Sequence, residues 1–503
     1  MLLRVLLAGL TAALLGAAAE RPLPSVDLQF LYAGYIGGDR FDQPAAIARD
    51  PDGGLWVTGV TTSFIELPVQ PDPFQFTVKG GRDVFLAKYA IRPGGRAELV
   101  YWTALGGSAD DLPAALAVDA SGNVYVAGMT ASTNFPTAGN AHQTSSGGSW
   151  DAFVSIIDPR RSGTESLIYS TYLGGPGVDA ATAFALDPAA GLLVVGYTGS
   201  GELSGLQQGT LQPGNRGGWD AFIARLDPNR SPSLLFLSFL GGNSTDVATG
   251  VAFDGPSLKA WIAGYTLSTD FPIAGAAPQG QPSGGGDGFL VELDFNRTGL
   301  DTLTYGTYFG GSGLDVPRAL TRDPLGGFWL AGYTLSADFP LAGPSPQRAL
   351  SGNADAFVTR LDISLPAPDF LTYSTYLGGT STDVVYALTL LDSGAVALAG
   401  YTTSPDFPLR KAPEPNTLHF PGADAFAAIL DPAAPEPEGL TWSALLAGSG
   451  TETATALLAA PGGGFYLAGY TTSRNLPVTD GSNKPTPPGS AAGFLALAGA
   501  PSQ

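Results

Sequence analysis

The chain has no cysteine, so a disulfide framework, a thiolate metal site and a cysteine nucleophile are all excluded. Histidine is nearly absent as well. His142 and His419 are the only two in 503 residues, too few for a histidine-built metal centre, and they leave the many serines without an evident base. Charged residues make up just 14%, and they lean acidic: 44 Asp and Glu against 24 Lys and Arg, a net charge of −20. A surface of that sign repels phosphate backbones and anionic membranes, so nucleic acid is not an expected partner. No Gly-Lys-Ser/Thr phosphate loop and no basic-aromatic stripe occurs.

Long apolar runs are missing beyond the first 20 residues, so no transmembrane segment is expected. The start itself, MLLRVLLAGLTAALLGAAAE, has one Arg, a short apolar run and then Ala17-Ala18-Ala19. These are the features of a secretory signal. The expectation is a signal peptide over residues 1–19, cleaved after Ala19, a short segment over 20–27, and a secreted or cell-surface protein. What the chain has in abundance is Gly (69) and Pro (41) alongside 44% apolar residues, the balance of a globular fold with many turns.

Three landmarks recur along it. Gly-Tyr-Thr begins at Gly196, Gly264, Gly332, Gly400 and Gly469, with the variants GVTTS from Gly59 and GMTAS from Gly128. Gly-Gly-x-x-x-Asp places its acid at Asp42, Asp111, Asp179, Asp246, Asp315 and Asp383, with Glu452 in the last copy. Asp-Ala-Phe and its variants start at Asp83, Asp151, Asp220, Asp287, Asp355 and Asp424, becoming Ala492-Gly493-Phe494 at the end. A fixed period over the whole length signals a repeat architecture.

Each unit reads as four short strands. Leu167–Gly175 (LIYSTYLGG) is aromatic, Ala114–Val118 (AALAV) is small, and Asn123–Thr130 (NVYVAGMT) and Asp151–Asp158 (DAFVSIID) alternate apolar, β-branched and aromatic residues between turn formers. A lone four-stranded sheet cannot bury both faces, so the units must stack. The expected fold is all-β, a seven-bladed β-propeller of four-stranded antiparallel blades over residues 28–500. Its Ala-rich strands lie at the axis and its aromatic strands at the rim. The N-terminal strand, Leu28–Gly38, is expected to pair with the C-terminal blade and close the ring.

The segments YSTYLGG, GYTxSxDFP and DAFVxxLD resemble the bacterial SBBP repeat, a β-propeller repeat of secreted and surface proteins, over about residues 28–497. That resemblance implies a propeller and export, and ties the chain to no one activity.

An antiparallel meander puts the Gly-Gly-x-x-x-Asp and Thr-x-Ser-x-x-Phe-Pro loops on one face of the disk. The acids Asp42, Asp111, Asp179, Asp246, Asp315, Asp383 and Glu452 then form a candidate ring for a hard cation such as Ca²⁺. Recurrence in every copy favours the competing reading, in which each acid accepts backbone hydrogen bonds in its own loop. No catalytic residue and no organic cofactor is assigned. The function expected is a non-catalytic, secreted binding or scaffold module of the cell envelope, monomeric, with a protein or a glycan as ligand. The alternative is an extracellular hydrolase or lyase using carboxylates on the loop face.

Overall fold

The computed structural model describes residues 28–500 apart from 64–71, 93–95, 188–190, 207–208, 413–414, 480, 481, 483, 485 and 488. The signal peptide and the 20–27 segment expected from sequence lie outside the described residues.

The second and third strands of each unit, such as Phe328–Thr334 (FWLAGYT) and Asp355–Leu361 (DAFVTRL), are apolar at most positions and buried along nearly their whole length. Strands apolar on both faces need cover on both. They obtain it from neighbouring sheets: seven four-stranded antiparallel sheets form a ring, with an apolar cluster between each consecutive pair. Blades 1 to 6 take consecutive strands whose first residues are Asp42, Asp111, Asp179, Asp246, Asp315 and Asp383. Within a blade the order runs from axis to rim. The innermost strands, for example Asp111–Val118 (DLPAALAV), are the small-residue ones, which suits the point where blades converge.

Blade 7 is assembled from both ends of the chain. Glu452–Ala459, Phe465–Thr471 and Ala492–Gly499 form its inner three strands, and Gln29–Ile36 adds the outermost, paired from Gln29 opposite Gly499 to Ile36 opposite Gly493 with one register shift between Phe30 and Tyr32. The expected closure is therefore observed. It is reinforced by side chains. Tyr35 is buried and its hydroxyl donates to the Ser473 carbonyl at 3.0 Å while accepting from the Leu476 amide at 2.9 Å. Trp442 of blade 6 donates its indole N–H to the Leu28 carbonyl at 3.0 Å.

The long loop that joins the second strand to the third passes by way of the rim. Past Phe-Pro it bends at a glycine in the left-handed region (Gly139, Gly275 and Gly343, φ 66–69°), then runs beside the outermost strand. There Ala138 pairs with Ser170 and Gln143 with Tyr172, and Ala342 pairs with Ser374. These bridges cover strand edges that would otherwise offer unpaired backbone to other chains.

Closure by Tyr35 generates one prediction. Tyr35→Phe, which keeps the ring but leaves the Leu476 amide and Ser473 carbonyl without their partner, lowers the unfolding free energy by about 1–3 kcal/mol in a urea titration, at unchanged m-value.

Candidate functional site

The seven acids sit at the starts of the innermost strands, and their side chains do not reach the channel. Each is buried, at 0–2% exposure, inside the seam between two blades. In blade 5, Asp315 Oδ2 accepts from the Gly311 amide at 2.7 Å and the Ser336 hydroxyl at 2.9 Å, and Oδ1 accepts from the Thr334 hydroxyl. Those hydroxyls also accept: Thr334 from the Ser336 amide at 2.9 Å, and Ser336 from the Gly313 amide at 2.8 Å. The same donors surround Asp42, Asp111, Asp179 and Glu452, and Asp246 and Asp383 keep the glycine and serine donors. Thr and Ser of Gly-Tyr-Thr-x-Ser thus cage the acid of Gly-Gly-x-x-x-Asp.

The first glycine of that motif separates two acids. A Cβ on Gly310 would fall 2.5 Å from an oxygen of Asp315 and 2.5 Å from one of Asp287, the third-landmark aspartate of the preceding blade. Gly106, Gly174, Gly241 and Gly378 lie between the corresponding pairs. Each third-landmark aspartate is held by its own loop. Asp355 accepts from the Ser351 amide at 2.9 Å, the Gly352 amide at 3.1 Å and the Gln347 side chain at 2.7 Å. Gln347 also accepts from the Gly378 amide at 2.9 Å, tying loop to seam. Its counterparts Gln75, Gln212 and Gln279 bond Asp83, Asp220 and Asp287 in the same way. The signal was a Gln eight residues before each of these aspartates, hidden in loops that otherwise vary.

The Phe of Phe-Pro packs on the Phe of Asp-Ala-Phe: Phe135 on Phe153, Phe271 on Phe289, Phe339 on Phe357 and Phe407 on Phe426, with ring centroids 4.4–4.7 Å apart. Where the third and seventh copies lack it, Leu203 and Leu476 fill the position, both buried. In the first copy, residues 64–71 lie outside the described residues. His142 donates through Nε2 to the Ser204 carbonyl at 2.8 Å, and His419 Nδ1 lies 2.9 Å from Asp424 Oδ2.

Hydroxyl and amide donors hold each acid, which is the environment of a caged carboxyl group. A cation wants the opposite set. Among the described residues no group of three or more His, Cys, Asp or Glu side chains is placed to hold a metal.

The channel mouth itself is built by a feature that sequence reading missed. Every innermost strand carries a register shift against its neighbour after its third residue, so the fourth residue bulges out of the ladder. Such bulges re-aim a side chain. The seven bulged residues, Ala45, Ala114, Thr182, Thr249, Arg318, Tyr386 and Thr455, all line one cavity of about 820 Å³. Tyr197, Tyr265 and Tyr333, from Gly-Tyr-Thr, line it too, as does Trp219, which is 42% exposed and stacked on Tyr197 at 4.8 Å. The available signal was a position that varies while its neighbours repeat.

Burial raises the carboxyl pKa of Asp111 to about 6, with the Asp83 charge adding to it, and likewise raises Asp220 to about 6 with help from Asp246. Burial also pushes Asp42, Asp179, Asp246, Asp315 and Asp383 upward. A carboxyl whose folded pKa exceeds its unfolded one binds extra protons when folded. Its stabilisation is complete below about pH 4 and is lost as pH rises through about 6. Asp110, held low by Arg82, loses its contribution only below the ordinary carboxylate range. Melting temperature therefore rises between pH 7.5 and pH 5, measured by calorimetry. EDTA followed by added calcium is expected to leave it unchanged, because hydroxyl and amide donors hold the acids.

A model of the SBBP family, described as a beta-propeller repeat, matches residues 101–136. The comparison with curated proteins returns no match. Among solved structures, hydrazine synthase of Kuenenia stuttgartiensis is 13% identical with a TM-score of 0.42, over 89% of this chain and 99% of that one. A Dyadobacter fermentans protein of unknown function is 10% identical (TM-score 0.39; 94% and 100% covered). An aldose sugar dehydrogenase from Streptomyces coelicolor is 13% identical (TM-score 0.31; 92% and 97% covered). Likeness at these levels carries no argument about activity. Since the landmarks of the matched segment recur in all seven blades, the chain is a seven-bladed propeller of SBBP repeats.

Proposed function

We propose that the protein is an exported, non-catalytic binding propeller that holds an extracellular glycan in the vestibule at its channel mouth. The reading rests on one observation. The cavity that the seven bulges enclose is faced by tyrosines and an exposed tryptophan, and its volume lies within the usual range for ligand pockets. Aromatic rings with a polar edge suit sugars, which offer apolar C–H faces and hydroxyl rims. Export is supported by the composition of the first 19 residues. Fold alone decides none of this, since propellers serve many functions.

The enzyme reading needs two carboxylates open to a substrate. The acid pairs at the seams have the proximity but are buried among their donors, so a polymer has no path to them.

Isothermal titration with xylohexaose, cellohexaose and trigalacturonic acid tests the binding role. At least one binds, with Kd of about 0.1–1 mM, and Trp219→Ala weakens it about tenfold, or ~1.4 kcal/mol. The proposal fails if none binds, or if Trp219→Ala binds as tightly as the natural chain.

A further inference from the structure

The vestibule is built from a sevenfold repeat, yet two of its bulged residues break the series of alanines and threonines. Arg318 and Tyr386 are the bulges of adjacent blades 5 and 6. The Arg318 guanidinium lies 5.8 Å from the Tyr333 ring centroid and 5.5 Å from that of Tyr386, and Tyr401 stands 6.0 Å behind Tyr386. Among the described residues no carboxylate comes within ion-pair distance of Arg318, although the chain has 44 acids for 24 basic residues. Nearby, Arg82 is already engaged by Asp110 at 2.6 Å.

We infer that Arg318 is a specificity-determining residue that selects a carboxylate-bearing sugar, a uronic acid unit, within the glycan. The inference rests on the reading of the vestibule as a glycan site and adds the chemical class of ligand. Two tyrosine rings flank the guanidinium carbon, and the planar fork of an arginine matches a carboxylate with two parallel hydrogen bonds. The other arginine among the described lining residues, Arg82, is paired with Asp110, so the site fits one planar monoanion better than a phosphate. The net charge of −20 repels anions at long range, so this arginine acts in the bound state and changes dissociation more than encounter.

The test compares trigalacturonic acid with its fully methyl-esterified form, the same sugar chain without charge, by isothermal titration in 50 mM salt. The natural chain binds the acid at least about tenfold more tightly than the ester. Arg318→Gln abolishes that preference, so that acid and ester bind the variant equally. Arg318→Lys, which keeps the charge without the fork, retains only part of it. Equal affinity of the natural chain for acid and ester, or a preference that survives in Arg318→Gln, overturns the assignment and leaves the glycan site standing. If neither form nor a neutral oligosaccharide binds, the glycan site itself falls, and this inference with it. Inorganic phosphate competing as well as galacturonate would also overturn it. Arg318 is exposed and touches no buried core, so the variants fold, and an unchanged melting temperature verifies this.

Discussion

Everything in this ring depends on a buried carboxylate held by hydroxyl and amide donors at the seam between two sheets. An acid out of water is costly unless its oxygens are engaged, and at Asp315 two other segments engage them at once. The acid begins the innermost strand, the glycine amide belongs to the loop arriving from the previous blade, and the threonine and serine hydroxyls come from the end of the second strand. One residue per unit thereby fixes the angle at which a sheet leaves its neighbour. Without disulfides, this polar register works alongside apolar packing to hold the disk together.

The seams differ in their details. Between blades 6 and 7 the acid is Glu452, the first glycine is Ala447, and His419 joins Asp424. At the closing seam Ala492 stands where a second aspartate would be, and Lys484 enters to donate to the Gly37 carbonyl. Burial pushes the Lys484 ammonium pKa down, and the Asp42 charge opposes that shift. The seam where the two ends of the chain meet thus exchanges a carboxylate pair for a carboxylate facing an ammonium.

Blade number, strand order and closure were legible in the sequence, because each depends on spacing and on alternation that every copy repeats. The role of the acids was legible as a choice between two readings, and the hydroxyls that hold them were in view as Thr-x-Ser. The vestibule was not legible. Its shape comes from a bulge, which depends on how two strands slip past one another and leaves no mark in the residue types at Ala45, Ala114 or Thr249. The glutamines escaped notice for a related reason: Gln347 acts across a loop and a seam together, and neither partner is near it in sequence except Asp355.

The bulges also separate two demands that most binding sites must reconcile. A bulged residue lies outside the hydrogen-bonded ladder, so its side chain can change without disturbing the pairing that builds the blade. The channel mouth is in effect a seven-letter word, now spelled Ala, Ala, Thr, Thr, Arg, Tyr, Thr, written on strands whose pairing does not depend on its spelling. A family of such rings can diverge in what it captures one letter at a time while the disk beneath stays the same.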